Sequence, residues 1–184
     1  MKIGIDVLGG DFAPDANLEG TILARKELSA GETIVLLGDQ DAILSGLSAL
    51  NEDPSHYHIV HAPDMITMED HPTRAIPQKP NSSIAVGFDM LSKGDINAFA
   101  STGNTGAMLV GAIYKINAIP GVIRPCITSI LPCEDGSQSI ILEPLTISLT
   151  KVLIQQLSIP TVKQRFTWHV RVHLATQHKT TTIA

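Results

Sequence analysis

A chain of 184 residues, 43% hydrophobic and 17% charged, is long enough to bury a core and fits one domain with room for an appendage. Its apolar segments are interrupted well short of the ~20 residues that span a bilayer, and Met1 runs directly into KIGIDV with no leader pattern, so the expected compartment is the cytoplasm. The formal net charge of −5 is unevenly spread: residues 1–143 carry all 18 acidic residues and 8 of the 13 Lys and Arg, whereas residues 144–184 carry five basic residues and no acid. No Gly follows Gly136 and no Asp follows Asp135, so turn chemistry stops there as well. These shifts divide the chain into an α/β domain over 1–142 and a tail over 143–184. Cys126 and Cys133 flank ITSILP without a second Cys or His pair at zinc-like spacing, which indicates neither a metal site nor a disulfide framework.

The first part alternates strands and helices. KIGID predicts a strand ending at Asp6, and Leu18, Ile22 and Leu28 behind Pro14 predict a helix in DANLEGTILARKEL. TIVLLGD predicts a second strand, DAILSGLSAL a second helix and YHIVHAP a third strand. A proline-interrupted loop over TRAIPQKPNSS leads to a helix in SSIAVGFDMLSK, a strand in INAFA and a helix in GAMLVGAIYKI. PCITSIL and SQSIIL are further strand candidates. The alternation predicts a doubly wound α/β fold, a mostly parallel sheet with helices on both faces, whose ligands gather where strands end and helices begin.

Two loops at such ends carry chemistry. In DVLGGDFAP, Gly9 and Gly10 allow close approach of a ligand and Asp11 offers an acceptor; a tight βα turn with a capping Asp is the plainer reading of the same residues. The dinucleotide fingerprint is missing its third glycine here, and Pro14 stands where the helix should pack against a cofactor. In STGNTGA, Gly103 and Gly106 permit tight turning. Ser101, Thr102, Asn104 and Thr105 add donors beside the free N–H groups of the following helix, where an anion is favoured. No Lys-Ser/Thr follows the second glycine, which excludes a Walker loop, while an ordinary N-cap reads equally from this stretch.

MKIGIDVLGGDFAP, HPTRAIPQKPNSS, STGNTGAM and GVIRPCI, in that order and spacing, closely resemble the amino-terminal half of the bacterial phosphate acyltransferase (PlsX) family, the acyl-carrier-protein:phosphate transacylases, from residue 1 to about 142. The resemblance implies the doubly wound fold of isopropylmalate dehydrogenases and phosphate acetyltransferases. It implies transfer of a fatty acyl group from acyl carrier protein to inorganic phosphate for phospholipid synthesis, with no metal and no organic cofactor. A homodimer with peripheral membrane attachment is the family habit, and no nucleic-acid partner is expected. On this pattern Asn104 and Thr105 are expected at the reacting centre, Ser101, Thr102, Gly103 and Gly106 around the phosphate, and Gly9, Gly10 and Asp11 on the neighbouring wall. Lys79, with Arg74 near it, reads either as a substrate cation or as a solvated loop charge, and Arg124 before Pro125 equally as a substrate cation or as an anchor of its loop; Pro77 and Pro80 depart from a more basic family pattern.

His56, His58 and His61 fall on or beside the third strand without forming a ligand cluster, and His71 reads as a loop residue rather than a general base. After SQSIIL the resemblance ends: the Gly-Ala-Asn or Gly-Thr-Asn segment expected next is not found in 143–184, which reads as the product of a shifted frame or an early gene ending. In that tail Phe166, Trp168, Val170, Val172 and Leu174 alternate with polar residues, among them His169 and His173, as in a half-buried strand. The expected activity of the 184-residue chain is weak, because family segments beyond 142 supply the opposite wall of the cleft. Three functions follow: the transacylase, an anion-binding α/β fragment without turnover, and a dehydrogenase of related fold, which the missing fingerprint disfavours.

Overall fold

The structure, a computed structural model, describes residues 1–118, 120, 125–132 and 138–144. The expectations for Arg124, Cys133 and the alternating tail segment with His169 and His173 lie outside the described residues.

In chain order the elements are β1 (Lys2–Asp6), α1 (Asp15–Glu27), β2 (Thr33–Gly38), α2 (Gln40–Ala49), a 3-10 turn (Pro54–His56), β3 (His58–His61), α3 (Pro72–Gln78), α4 (Ser83–Lys93), β4 (Ala98–Ala100), α5 (Thr105–Lys115), β5 (Cys126–Pro132) and β6 (Gln138–Pro144). One element departs from expectation. The stretch read as a proline-interrupted loop contains α3, whose Pro72 occupies the first turn, where no N–H is needed. Pro77 sits one residue from the helix end, so the backbone bond it forgoes costs little continuity there.

Strands β1 to β4 form one sheet in the order β3-β2-β1-β4, with every pairing parallel. β2 is apolar from Ile34 to Leu37 because both of its faces are covered. Ile34 and Leu36 pack with Leu18 of α1 and with Ile43 and Leu47 of α2, while Val35 and Leu37 pack with Ile96 and with Val86, Met90 and Leu91 of α4. Each such fully buried aliphatic side chain contributes roughly 1.5–3 kcal/mol relative to exposure. A third cluster joins Ala75 and Ile76 of α3, Ile84, Ala85 and Phe88 of α4, and Ala107 and Val110 of α5, so the start of α5 rests on a packed base. The last two strands pair with each other as an antiparallel hairpin, in register from Cys126↔Pro144 to Pro132↔Gln138.

Side-chain caps fix where three helices begin. Asp39 accepts from Ala42 N at 2.9 Å, Ser82 from Ala85 N at 3.3 Å and Asn104 from Ala107 N at 3.0 Å, each satisfying a first-turn donor. His56 Nδ1 lies 3.0 Å from Glu52 Oε1, which also receives Tyr57 Oη at 3.1 Å, and His61 Nδ1 accepts from Gln40 N at 3.2 Å. Among the described residues, no group of three or more His, Cys, Asp or Glu comes together as a metal site, and no helix is long and apolar enough to cross a membrane.

Candidate functional site

The strand order reverses direction at β1. The chain builds β2 and β3 on one side of it, then crosses to place β4 on the other. In an open parallel sheet the crevice outside the carboxyl ends of the strands flanking such a reversal is where ligands bind. The two loops leaving β1 and β4 are the two glycine loops of the sequence, so the fold brings Gly9, Gly10 and Asp11 beside Ser101 to Gly106.

They meet closely. A Cβ added to Gly103 would lie 3.1 Å from the Cα of Gly9, and one added to Gly9 would lie 2.7 Å from the backbone nitrogen of Gly103. Gly10 turns with φ +94°, a conformation that L side chains rarely adopt. Beneath the contact lies Asp6, only 1% exposed, whose carboxylate accepts from Leu8 N at 3.0 Å and from Ser101 Oγ at 2.6 Å. Ser101 Oγ in turn accepts from Gly103 N at 2.9 Å.

Tracing donors shows what the small polar residues do. A serine hydroxyl has one proton, and that of Ser101 is committed to Asp6 Oδ2. The Thr102 hydroxyl points to Gly9 O at 2.9 Å and Asn17 Oδ1 at 3.1 Å, both acceptors. Both amide hydrogens of Asn104, a residue 6% exposed, go to the carbonyls of Thr67 at 2.9 Å and Asp70 at 3.2 Å, while its oxygen caps α5. Among the described residues, the N–H groups of Thr105 and Gly106 and the exposed Thr105 hydroxyl have no intramolecular partner, and neither do the N–H groups of Gly9, Gly10, Asp11, Thr102 and Asn104 in the same two loops. The side chains of Ser101, Thr102 and Asn104 rivet the crevice together, and its open donors are mainly backbone.

Lys79 is equally committed. Its ammonium group donates to Met65 O at 2.9 Å and pairs with Asp70, whose carboxylate also accepts from Thr67 N at 2.7 Å. The pair braces the 65–70 loop, which Asn104 ties to the start of α5. Arg74 is exposed on α3 and forms no ion pair among the described residues, and Asp11 is exposed with no side-chain partner among them. His71 precedes α3 at its N-cap position without capping it, its Nδ1 3.0 Å from Thr73 Oγ1.

Two consequences are measurable. Asn104→Asp keeps the oxygen that caps α5 but loses both amide donors, so the melting temperature should fall and amide exchange should quicken in 65–70 while the first turn of α5 stays protected. Asn104→Ala should cost about 1 kcal/mol more through the lost cap. The hydrogen bond from Lys79, followed by that from Thr67 N, holds the Asp70 carboxyl below its ordinary value of 3.8. A depressed acid stabilises the fold above its unfolded value and loses that contribution as pH falls through the folded one. Thermal melts between about pH 5 and pH 2 should therefore show a shallower acid decline for Asp70→Asn than for the parent, by a small, salt-screened margin.

Asp6 and Asn17 were not singled out in the sequence. A carboxylate closing an apolar strand was the available signal for Asp6, whereas nothing local marks Asn17, whose partners are backbone carbonyls and a residue 85 positions away.

Comparison with known proteins bears directly on this crevice. The family described as "Fatty acid synthesis protein" matches residues 1–144. The chain belongs to that family. Among curated relatives, the phosphate acyltransferase of Acetivibrio thermocellus is 42% identical over 161 residues, covering 86% of this chain and 47% of the relative. That of Caldicellulosiruptor bescii is 40% identical over 141 residues (77% and 42%), and that of Herpetosiphon aurantiacus 38% over 136 residues (74% and 36%). The chain thus spans 36–47% of the length of these relatives. A solved structure, EutD phosphotransacetylase from Staphylococcus aureus, overlays with a TM-score of 0.48 at 20% identity, covering 76% of this chain and 44% of that one. The crevice between β1 and β4 lies wholly inside the matched segment.

Proposed function

We propose that the chain forms the phosphate-holding wall of an acyltransferase that moves a fatty acyl group from acyl carrier protein to inorganic phosphate. The observation that carries this reading is the set of open backbone donors at Thr105 and Gly106, placed at the strand-order reversal of a chain whose relatives are named phosphate acyltransferases. Such donors hold an oxyanion at the positive end of the α5 dipole, where it can be aimed without covalent help from the protein. A phosphate oxygen attacks the thioester carbonyl carbon, the tetrahedral intermediate collapses, the carbon–sulfur bond breaks, and the carrier leaves as its thiol after taking up a proton. Donors fixed in advance stabilise charge developing along that path and hold the reactants in reach.

Thr105 stands nearest the reaction by this reading, with its hydroxyl exposed; Asn104 acts by fixing the helix start. Among the cations, Lys79 braces its loop and the exposed Arg74 is offered to the acidic surface of the carrier protein. Arg124, Gly10 and Asp11 stay with the substrate side of the proposal, as do a homodimer, peripheral membrane contact and work in the cytoplasm. A domain ending at 142 and a separate tail over 143–184 belong to the same reading. A second reading, phosphate held without turnover by the 184-residue chain alone, is favoured by its spanning 36–47% of the relatives' length.

The test is release of free carrier thiol from acyl carrier protein with and without phosphate, beside a calorimetric phosphate titration of the same sample. Phosphate-dependent release supports transfer, and binding without release supports the second reading. Absence of both would sink the proposal.

A further inference from the structure

We infer that Asn17 and Thr102 form a latch that sets the spacing of the two glycine loops, making Asn17 a positioning residue for the anion donors; the anion part rests on the phosphate reading above. Asn17 is the third residue of α1 and lies outside both loops. Its amide nitrogen reaches Gly9 O at 2.7 Å, Val7 O at 3.0 Å and Asp6 O at 3.4 Å. Carbonyls only accept, so this side of the carboxamide is the NH2, and its oxygen is left facing the Thr102 hydroxyl at 3.1 Å. One side chain therefore ties the helix after β1, the loop after β1 and the loop after β4.

The geometry is tight on the Thr102 side as well. The same hydroxyl lies 2.9 Å from Gly9 O, and a Cβ on Gly10 would come within 2.9 Å of Thr102 Oγ1. The buried Asp6 to Ser101 bond ties the loops from below, whereas the exposed Thr102 ties them at the crevice. A merely structural Asn17 would change stability alone. A latch changes the distance between the wall carrying Gly10 and the wall carrying Thr105 and Gly106, and misplacement on the scale of ~1 Å weakens what the two walls hold jointly.

The experiment is a double-mutant cycle of Asn17→Ala and Thr102→Val in the 184-residue chain, read by phosphate titration and by NMR amide exchange at Gly10 and Gly103. Ala is a better helix former than Asn, so α1 itself is not weakened by the first change. Each single variant should raise the phosphate dissociation constant about tenfold and speed exchange at Gly103, and the double variant should add little, because both changes cut one latch. Independent effects that multiply, or an unchanged dissociation constant and exchange rate in both singles, would overturn the latch. Should Asn17→Ala fail to fold, Asn17→Ser, whose shorter side chain does not span the two loops, takes its place in the cycle, because Thr102→Val alone also removes the bond to Gly9 O. Faster Gly103 exchange in both singles of a parent that binds no phosphate would keep the latch and remove the phosphate reading.

Discussion

Gly9→Ala is expected to abolish phosphate binding by the chain, raising the dissociation constant by at least ~100-fold. A Cβ at this position would sit 2.5 Å from Asp6 Oδ2, 2.7 Å from Gly103 N and 2.9 Å from Ser101 Oγ. None of these is the free end of a flexible side chain: Asp6 is held by two hydrogen bonds, Ser101 bridges Asp6 and Gly103, and the third neighbour is backbone. The methyl group therefore separates the loops or breaks the Asp6–Ser101–Gly103 chain, and either result moves the donors at the start of α5 relative to β1. Gly20→Ala is the matched control. Nothing lies within 4 Å of a Cβ there, and within α1 the change should stabilise by about 1 kcal/mol and leave binding intact. Calorimetric titration of the two variants beside the parent decides the matter, and parental affinity in Gly9→Ala would show that the two loops do not share one ligand.

Gly106→Val acts on the other wall. A Cβ on Gly106 would meet Pro72 Cγ at 2.5 Å and Pro72 Cβ at 3.1 Å, so α3 and the first turn of α5 are in contact through a hydrogen atom's width. Proline cannot rotate out of the way, and α3 is pinned by Ala75 and Ile76 in the shared cluster. Overpacking of this kind costs typically 1–3 kcal/mol, and here it also tilts the helix turn that carries the two open N–H groups. The expected result is a lowered unfolding midpoint in urea together with loss of bound anion. Crystals of the parent soaked in phosphate should show density at the start of α5, and those of the variant should not. Anion density only elsewhere in the parent would remove α5 from the site.

Much of this was legible in advance. The apolar run of β2 and the glycine loops after β1 and β4 are local signals, and each strand and helix expected over the described residues is present. What pattern reading could not give is commitment. The sequence shows Ser101, Thr102, Asn104 and Lys79 as groups able to bind an anion, and only the fold shows their protons directed to Asp6, Gly9 O, the Thr67 and Asp70 carbonyls, and Asp70. The helix α3 was hidden for a different reason: two prolines in seven residues mimic a loop unless one of them falls in the first turn. The roles of Asp6 and Asn17 arise from partners far along the chain, which no window of residues contains.

The parallel pairing of β1 with both β2 and β4 has a kinetic consequence. Ile3 meets Ile34 across one short helical crossover, but its other neighbour is Ala98, and Asp6 finds Ser101 across a separation of 95 positions. Closing the longer loop costs about 1 kcal/mol more in chain entropy, so β1, β2 and β3 can assemble on α1 and α2 before β4 arrives. Until then Asp6 is a carboxylate without its serine and Gly9 faces no second loop. The two glycine loops thus meet only after β1, β2 and β3 have formed, and a nascent chain stopped short of Ser101 has the first loop without the second.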